Sequence, residues 1–272
     1  LSGAPLMDTR APIEFFRGSF PTAQSLPLMT DDERAQVGTC YKQQGQDAAI
    51  VLGHQLVSGA VRDERIAAWA DFARQHPEGY LFCFRGGLRS QTVQRWMAEE
   101  VGIVYPRIAG GYKAMRHFLM DTTEAAVANL PLMVVGGMTG TGKTELLATL
   151  PNAVDLEGCA NHRGSSFGKR VNGQPAQIDF EHRLALRMLH LDAAGCPAFV
   201  VEDEGHFIGS CSLPDSLFRQ MAQAPIVWLE DEFDNRVSRI LQDYVVNQLA
   251  DHEAALGAET GFERFKAHLQ QS

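Results

Sequence analysis

Residues 132–144 read LMVVGGMTGTGKT, and this stretch decides the fold of the C-terminal half of the chain. A short apolar run with the composition of a buried strand precedes the glycines, and a helix-like sequence follows them. From Gly137 the stretch satisfies the pattern GxxxxGK[ST], in which glycines expose backbone amides to a diphosphate. Lys143 would supply a point charge and Thr144 a hydroxyl ligand for magnesium. The alternative, a glycine-rich turn that binds nothing, is disfavoured because the flanking strand and helix are both present.

The predicted diphosphate-binding residues are Gly137, Thr139, Gly140, Thr141, Gly142, Lys143 and Thr144, and Thr144 is also the predicted metal ligand. A partner for the metal should lie at the end of another apolar strand. Residues 197–204, PAFVVEDE, fit this requirement. Glu202, Asp203 and Glu204 are therefore candidates for magnesium binding or for acid–base chemistry. The spacing does not distinguish among them, and a merely solvated acidic strand end is the alternative.

The segment between these motifs, residues 155–170, reads DLEGCANHRGSSFGKR. Its glycines and serines predict a loop. The basic residues His162, Arg163, Lys169 and Arg170 are candidates for contacts to a phosphate or to an RNA backbone. A surface loop without such a role is the alternative.

A second motif lies in residues 81–90, LFCFRGGLRS, where a cysteine ends an apolar run and an arginine follows six positions later. This layout is typical of a loop that cradles an anion beside a nucleophile. If a helix starts at Ser90, with Ser90 as its N-cap, the amides of residues 84–90 converge on the sulfur and stabilise a thiolate or an oxyanion. The candidate catalytic residues are Cys83, Arg85, Gly86, Gly87, Arg89 and Ser90. The alternative is a buried structural cysteine beside a glycine turn.

Two families share such a loop: rhodanese-like sulfurtransferases and cysteine phosphatases. The spacing from Cys83 to Arg89 fits the phosphatase loop and is one residue longer than the usual rhodanese loop, so spacing alone does not decide. The flanking sequences MDTR (7–10) and IAGGYKAM (108–115) resemble the opening and the close of a rhodanese domain. Phe82 stands where tyrosine phosphatases usually have histidine, which makes the phosphatase the weaker interpretation.

Both motifs on one chain, in this order, resemble the tRNA 2-selenouridine synthases. The resemblance extends to residues 32–45, 154–158, 162–165, 202–204 and 208–210, which generic rhodaneses lack. It implies an enzyme that exchanges the sulfur of wobble 2-thiouridine for selenium from selenophosphate, through a geranylated intermediate made from geranyl diphosphate. It also implies that Cys83 is catalytic, that the phosphate loop binds the diphosphate, and that the partners are tRNAs with Lys, Glu and Gln type anticodons. No tightly bound cofactor is expected, although magnesium fits the site.

Two alternatives stay open. One is a rhodanese- or phosphatase-type cysteine enzyme coupled to an ATP-binding phosphate-loop module. The other is a nucleotide-gated binding protein in which Cys83 is inert. Whether the phosphate loop binds geranyl diphosphate, ATP or both is not decided by the motif.

The predicted fold class is α/β, with a rhodanese-like domain over residues 1–122 and a phosphate-loop NTPase-like domain over residues 131–272. Because family members usually continue past Ser272, we expect a C-terminal truncation. The predicted strands are Leu6 to Asp8, Leu81 to Cys83, Ile103 to Tyr105, Leu132 to Val135, Ala198 to Val201 and Ile226 to Leu229. The predicted helices are Ala48 to Leu56, Asp63 to Arg74, Gln91 to Glu100, Tyr112 to Met120, Phe180 to Ala193 and Phe233 to Glu253.

Composition limits the functional classes. The chain has 272 residues and a net charge of −9, and 45% of its residues are apolar, which is sufficient for two cores. No stretch approaches the roughly 20 apolar residues of a membrane span. Five cysteines without paired Cys-x2-Cys spacing suggest neither a disulfide framework nor a zinc site, so a reducing cytoplasm is expected.

The charge distribution argues against a bulk nucleic-acid binder. From residue 131 onward, 11 lysines and arginines stand against 19 aspartates and glutamates. A tRNA would therefore have to dock on local basic patches. The candidates beside the cysteine are Arg85, Arg89, Arg95, Lys113 and Arg116, and those in the loop are Arg163, Lys169 and Arg170. The oligomeric state is not predicted.

Overall fold

The computed structural model describes residues 3–165 and 168–271. Contacts between residues divide the chain into two units, Leu1–Phe118 and Leu119–Ser272. Each unit has a parallel sheet of its own, so the predicted α/β class is confirmed. In the part of the chain that the structure describes, no helix is long and apolar enough to cross a membrane.

The first unit is built on a three-stranded parallel sheet. Its strands are β1 (Leu6–Asp8), β2 (Ala23–Ser25) and β3 (Tyr80–Phe82), in the order β2-β1-β3. Met7 in β1 and Leu81 in β3 are paired neighbours and are fully buried. Burial on both faces is typical of parallel strands, which helices cover on either side.

Among the residues that the structure describes, six helices begin in this unit. They are α1 (Pro12–Phe16), α2 (Asp31–Gln44), α3 (Gln46–Leu56), α4 (Gly59–Gln75), α5 (Leu88–Val101) and α6 (Gly111–Asn129). Trp69 and Phe72 of α4 pack with Trp96 and Met97 of α5 in the core of this unit. The cysteine motif therefore lies between a buried strand and a helix that the core holds in place.

The second unit contains a four-stranded parallel sheet in the order β5-β6-β4-β9 and a small antiparallel pair, β7-β8. The strands are β4 (Leu132–Gly137), β5 (Ala153–Val154), β6 (Phe199–Glu202), β7 (Phe207–Ile208), β8 (Cys211–Ser212) and β9 (Ile226–Leu229). All four residues of β6 are buried. Since the carboxyl ends of parallel strands meet at one edge of a sheet, the phosphate loop after β4 and the carboxylates at the end of β6 lie side by side.

The helices of the second unit are α7 (Lys143–Thr149), α8 (Leu156–Ala160), α9 (Gln177–Ala193), α10 (Asp215–Met221), α11 (Phe233–Leu241), α12 (Gln248–Leu256) and α13 (Ala258–Gln271). A π-helix, Gln242–Asn247, joins α11 to α12. Phe180, Leu184 and Met188 lie on one face of α9 and pack against Phe199 and Val201 in the main core. This repeat of three to four residues is the apolar periodicity expected of a helix that covers a sheet.

The structure differs from the predicted elements in several places, of which the following bear on the architecture. Residues Ile103 to Tyr105 are not a strand: the Tyr105 side chain is buried, and its hydroxyl donates to the His76 carbonyl at 2.7 Å. β2 and α2 were not predicted. α6 continues to Asn129, across most of residues 123–130 between the two predicted domains, and the division between the units falls within it. The predicted helix Phe233 to Glu253 is interrupted by the π-helix.

Candidate functional site

The phosphate loop joins β4 to α7 in the second unit. Gly142 is the N-cap of α7, so the free amides of the first helical turn face the loop. Lys143 Nζ donates to the Gly137 carbonyl at 2.8 Å. Gly140 has φ of +83°, and a Cβ there would lie 2.6 Å from the Arg236 carbonyl oxygen. Only glycine fits this position without strain.

A cavity of about 420 Å³ opens beside this loop at the carboxyl edge of the sheet. It brings together residues that the sequence analysis had placed in three separate motifs. Its lining includes Gly137, Thr139, Gly140, Thr141, Gly142, Lys143, Thr144, Arg163, Arg170, Asp203 and Glu204. The phosphate-loop backbone and cationic side chains line the cavity and suit an anion, and the carboxylates in the same lining suit a cation bound to that anion.

The three candidate carboxylates take different positions. Asp203 and Glu204 line the cavity, whereas Glu202 lies outside its lining and is 3% exposed. Glu202 Oε1 accepts a hydrogen bond from the Glu157 amide at 2.6 Å. Glu202 Oε2 has no hydrogen-bond partner among the residues that the structure describes. Glu202 thus holds the backbone at Glu157 by a hydrogen bond without lining the cavity itself.

Two of these carboxylates are perturbed. Burial raises the pKa of Glu202 to about 8. Burial and the neighbouring Glu157 carboxylate raise the pKa of Glu204 to about 8. A carboxyl that is protonated at pH 7 can donate a proton, and it regains its charge when a cation binds beside it.

Magnesium is compatible with the oxygen donors of this cavity. Thr144, Asp203 and Glu204 all line it, and hydroxyl and carboxylate oxygens are the ligands that magnesium prefers. Among the described residues, no three His, Cys, Asp or Glu side chains are grouped as metal ligands. A magnesium ion would therefore depend on phosphate oxygens and water for most of its coordination.

The basic residues of the 155–170 loop separate into two pairs. Arg163 and Arg170 line the cavity. Arg163 Nη1 pairs with Asp243 Oδ1 at 3.0 Å, and the guanidinium lies 5.7 Å from the centre of the Tyr244 ring. His162 is buried outside the lining, and its pKa is lowered by burial and by the charge of Lys169. Lys169 is exposed and also lies outside the lining.

Four residues of the C-terminal helices line the cavity but were not predicted from the sequence: Arg239, Ile240, Asp243 and Tyr244. Arg239 Nη1 donates to the Gly140 carbonyl at 3.1 Å, and the same side chain pairs with Asp231 and Glu145. The π-helix widens the turn at Asp243 and Tyr244, and such helices are frequent at functional sites. No motif marks these residues, because a π-helix has no sequence pattern that separates it from an α-helix.

The cysteine loop occupies the carboxyl end of β3 in the first unit. Cys83 follows β3 directly and is 3% exposed. The helix after it begins at Leu88 with Gly87 as N-cap, so the prediction that Ser90 is the N-cap was wrong. Ser90 lies in the first turn of α5, fully buried, with its Oγ 3.2 Å from the Cys83 Sγ. The two glycines allow the helix to start earlier than expected, and this places the Ser90 hydroxyl in contact with the Cys83 sulfur.

The arginines of this loop do not act alike. Arg89 forms a two-point pair with Glu14, with Nη1–Oε2 at 2.6 Å and Nη2–Oε1 at 3.2 Å. Burial by itself would raise the pKa of Glu14, but the hydrogen bonds and charge of Arg89 outweigh it, and the pKa is lowered. Arg85 is exposed beside the Phe84 ring. Arg85 is therefore exposed at the loop surface, whereas Arg89 is paired with Glu14.

The glycine pair at residues 110–111 closes the cysteine loop. The Cys83 carbonyl accepts from the Tyr112 amide, and the Phe84 carbonyl accepts from the Lys113 amide, both at 2.9 Å. Gly111 has φ of +58°, and a Cβ there would lie 2.2 Å from the Cys83 carbonyl oxygen. The start of α6 and the cysteine loop are thus joined through backbone hydrogen bonds.

Comparison with known proteins places the chain in a family. Residues 130–272 match the family model described as the tRNA 2-selenouridine synthase AAA domain. Among curated proteins, the tRNA 2-selenouridine synthases of Azotobacter vinelandii and Pseudomonas syringae pv. tomato are each 62% identical to this chain. That of Bordetella bronchiseptica is 61% identical. Each match covers all of this chain and 74% of the relative.

One solved structure also matches, the N-terminal domain of a protein from Clostridium difficile 630. It is 31% identical over 44% of this chain and 92% of that one, and its TM-score of 0.40 is too low to inform the fold. The family assignment rests on the curated relatives, because their sequence identity to this chain extends over its whole length. The chain belongs to the tRNA 2-selenouridine synthases, a family of enzymes.

Proposed function

We propose that this protein converts wobble 2-thiouridine to 2-selenouridine in tRNAs with Lys, Glu and Gln type anticodons, with selenophosphate as the selenium donor. Family membership supports the enzyme class. The observation that carries the proposal is the single cavity in which the phosphate loop meets Arg163, Arg170 and Arg239. The protein would act on its tRNA substrate in the cytoplasm.

The cavity is proposed as the site of geranyl diphosphate. The thiouridine sulfur would attack the first carbon of the geranyl chain, so that a carbon–sulfur bond forms and the carbon–oxygen bond to the diphosphate breaks. The electron pair of the broken bond would leave with the diphosphate, and the base would lose its N3 proton to solvent. Lys143, the three arginines and the loop amides are placed to stabilise the negative charge of the diphosphate, and magnesium held by Thr144 and the cavity carboxylates would add to them.

The first unit is proposed to be rhodanese-like and to handle selenium. Its parallel sheet, with a cysteine loop between a strand end and a helix N-terminus, supports that assignment. Cys83 would be the nucleophile, and Arg85, Gly86, Gly87 and Arg89 would surround the selenophosphate oxygens. In the exchange itself the selenium of selenophosphate would bond to carbon 2 of the base as the carbon–sulfur bond breaks and geranethiol leaves. Water would then break the selenium–phosphorus bond and release phosphate.

Ligand-dependent thermal stability tests the diphosphate site. A ligand that binds only the folded state at 100 times its Kd adds about 2.7 kcal/mol of stability. With magnesium present, we expect geranyl diphosphate to raise the Tm of the wild type and of Lys266→Ala, a surface control in α13. Lys143→Ala should lose the rise, because the loop loses its point charge.

Two results would change the proposal. A rise with ATP but not with geranyl diphosphate would favour the ATP-coupled cysteine enzyme. An equal rise in Lys143→Ala would mean that the ligand binds elsewhere. Mass spectrometry of tRNA nucleosides, after incubation with geranyl diphosphate and then with selenophosphate, would test the two chemical steps separately.

A further inference from the structure

A buried serine hydroxyl touches the sulfur of Cys83, and the functional assignment above gives it no role of its own. We propose that Ser90 is a positioning residue: its hydroxyl turns from the Gly87 carbonyl to the Cys83 sulfur when the thiol loses its proton, and so stabilises the nucleophile. The inference rests on the proposed function only in taking Cys83 as the nucleophile.

The geometry forms a short chain of three groups. The Cys83 thiol donates to Ser90 Oγ at 3.2 Å, and the Ser90 hydroxyl donates to the Gly87 carbonyl oxygen at 3.1 Å. Ser90 is fully buried and Cys83 is 3% exposed, so little water reaches the sulfur. A buried thiolate without a hydrogen-bond donor is costly, and the serine hydroxyl is a donor already in contact with it.

Turning the hydroxyl leaves no carbonyl unsatisfied. The Gly87 carbonyl oxygen also accepts the Gln91 amide at 3.1 Å, so it keeps a hydrogen bond when Ser90 turns away. The change is one rotation about the Cβ–Oγ bond, within a turn of α5 whose backbone does not move. The thiol proton passes to solvent, no electron is transferred, and the helix N-terminus adds a partial positive charge.

Several charged groups lie on the surrounding elements. They are Arg85 in the loop, Arg89 paired with Glu14 of α1, Arg107 donating to the Gly86 carbonyl, Lys113 at the start of α6, and the pair of Asp8 at the end of β1 with Arg10. All of these remain when only the hydroxyl is removed. A comparison of Ser90 variants therefore isolates the hydroxyl.

The test measures the thiolate of Cys83 directly in the full chain. The ultraviolet absorbance of the thiolate is measured as a function of pH. For each protein, the absorbance of the same protein carrying Cys83→Ala is subtracted, so that the remaining signal belongs to Cys83. The rate of Cys83 alkylation by iodoacetamide, in which a carbon–sulfur bond forms and iodide leaves, is read on the Cys83 peptide by mass spectrometry. The variants are Ser90→Ala, Ser90→Thr and Thr123→Val, the last removing a buried hydroxyl-to-carbonyl bond in α6.

A hydrogen bond to a charged group changes an equilibrium constant about tenfold. We expect Ser90→Ala to move the midpoint of thiolate formation up by about one pH unit and to slow alkylation near neutral pH about tenfold. Ser90→Thr keeps the hydroxyl and should stay within about threefold of the wild type, and Thr123→Val should match the wild type.

An unchanged midpoint in Ser90→Ala would overturn the proposal, as would an equal loss in Ser90→Thr and Ser90→Ala. If Ser90→Ala does not fold, Ser90→Gly removes the same hydroxyl and takes its place. Neither measurement uses tRNA, selenophosphate or a diphosphate, so its failure is distinguishable from a failure of the proposed function.

Discussion

Replacing Gly111 by alanine should loosen the cysteine loop, by an amount that follows from the backbone geometry. The residue has φ of +58°, which costs a residue with a Cβ about 1 kcal/mol. The added Cβ would lie 2.2 Å from the Cys83 carbonyl oxygen and 2.5 Å from the Gly86 amide nitrogen, so the backbone must shift. The shift would break the bond from the Tyr112 amide to the Cys83 carbonyl, a loss of about 1 kcal/mol.

With the strain of the displaced loop, we expect Gly111→Ala to lower the free energy of unfolding by about 3 kcal/mol. Gly102→Ala is the matched control. Gly102 has φ of +70° at the end of α5, and nothing lies within 4 Å of its added Cβ. It should lose only about 1 kcal/mol, the conformational cost alone.

Urea unfolding followed by tryptophan fluorescence measures both variants. Trp69 and Trp96 lie in the core of the first unit, and Trp228 lies in the second. In a Trp228→Phe background the signal therefore reports the first unit alone. Equal unfolding midpoints for Gly111→Ala and Gly102→Ala would refute the reasoning, because the close approach to Cys83 would then cost nothing.

Two further predictions concern the second unit. The pKa of Glu202 is raised to about 8 by burial, so its contribution to stability is fully present below about pH 4.5 and is lost as pH rises towards 8. We therefore expect the free energy of unfolding of Glu202→Gln, measured by urea denaturation, to rise relative to that of the wild type by on the order of a few kcal/mol between pH 5 and pH 8.5. The same difference between the two proteins at both pH values would contradict this expectation. Asp243→Asn removes the partly exposed ion pair with Arg163, so we expect a stability change below about 1 kcal/mol but faster tryptic cleavage at Arg163. Cleavage at the wild-type rate would show that the pair does not hold the loop.

The motifs were predictable because their chemistry is local in the sequence. The phosphate loop needs glycines at fixed spacing, a lysine and a threonine, and the strand and helix around it are short-range patterns. The carboxylates at the end of β6 follow from the rule that the functional edge of a parallel sheet is its carboxyl edge. Arg163 and Arg170 lie in the cavity as their loop position suggested, although His162 and Lys169 do not.

Contacts between distant segments were not predictable. Arg239 follows Gly140 by 99 positions and nevertheless donates to its carbonyl. Glu14 precedes Arg89 by 75 positions and holds it in a two-point pair. The start of α5 at Leu88 also escaped prediction, because glycine as an N-cap carries no side-chain signal.

The sequence by itself determined the family, the α/β class and the two loops on which the proposed chemistry depends, because each rests on residue types at short, fixed spacing. Only the tertiary structure decided which carboxylates face the cavity, that Arg89 pairs with Glu14, and that Ser90 contacts Cys83 instead of capping α5. These outcomes depend on burial and on pairs brought together across the chain. Folding sets both through the packing of whole elements, and no local pattern encodes them.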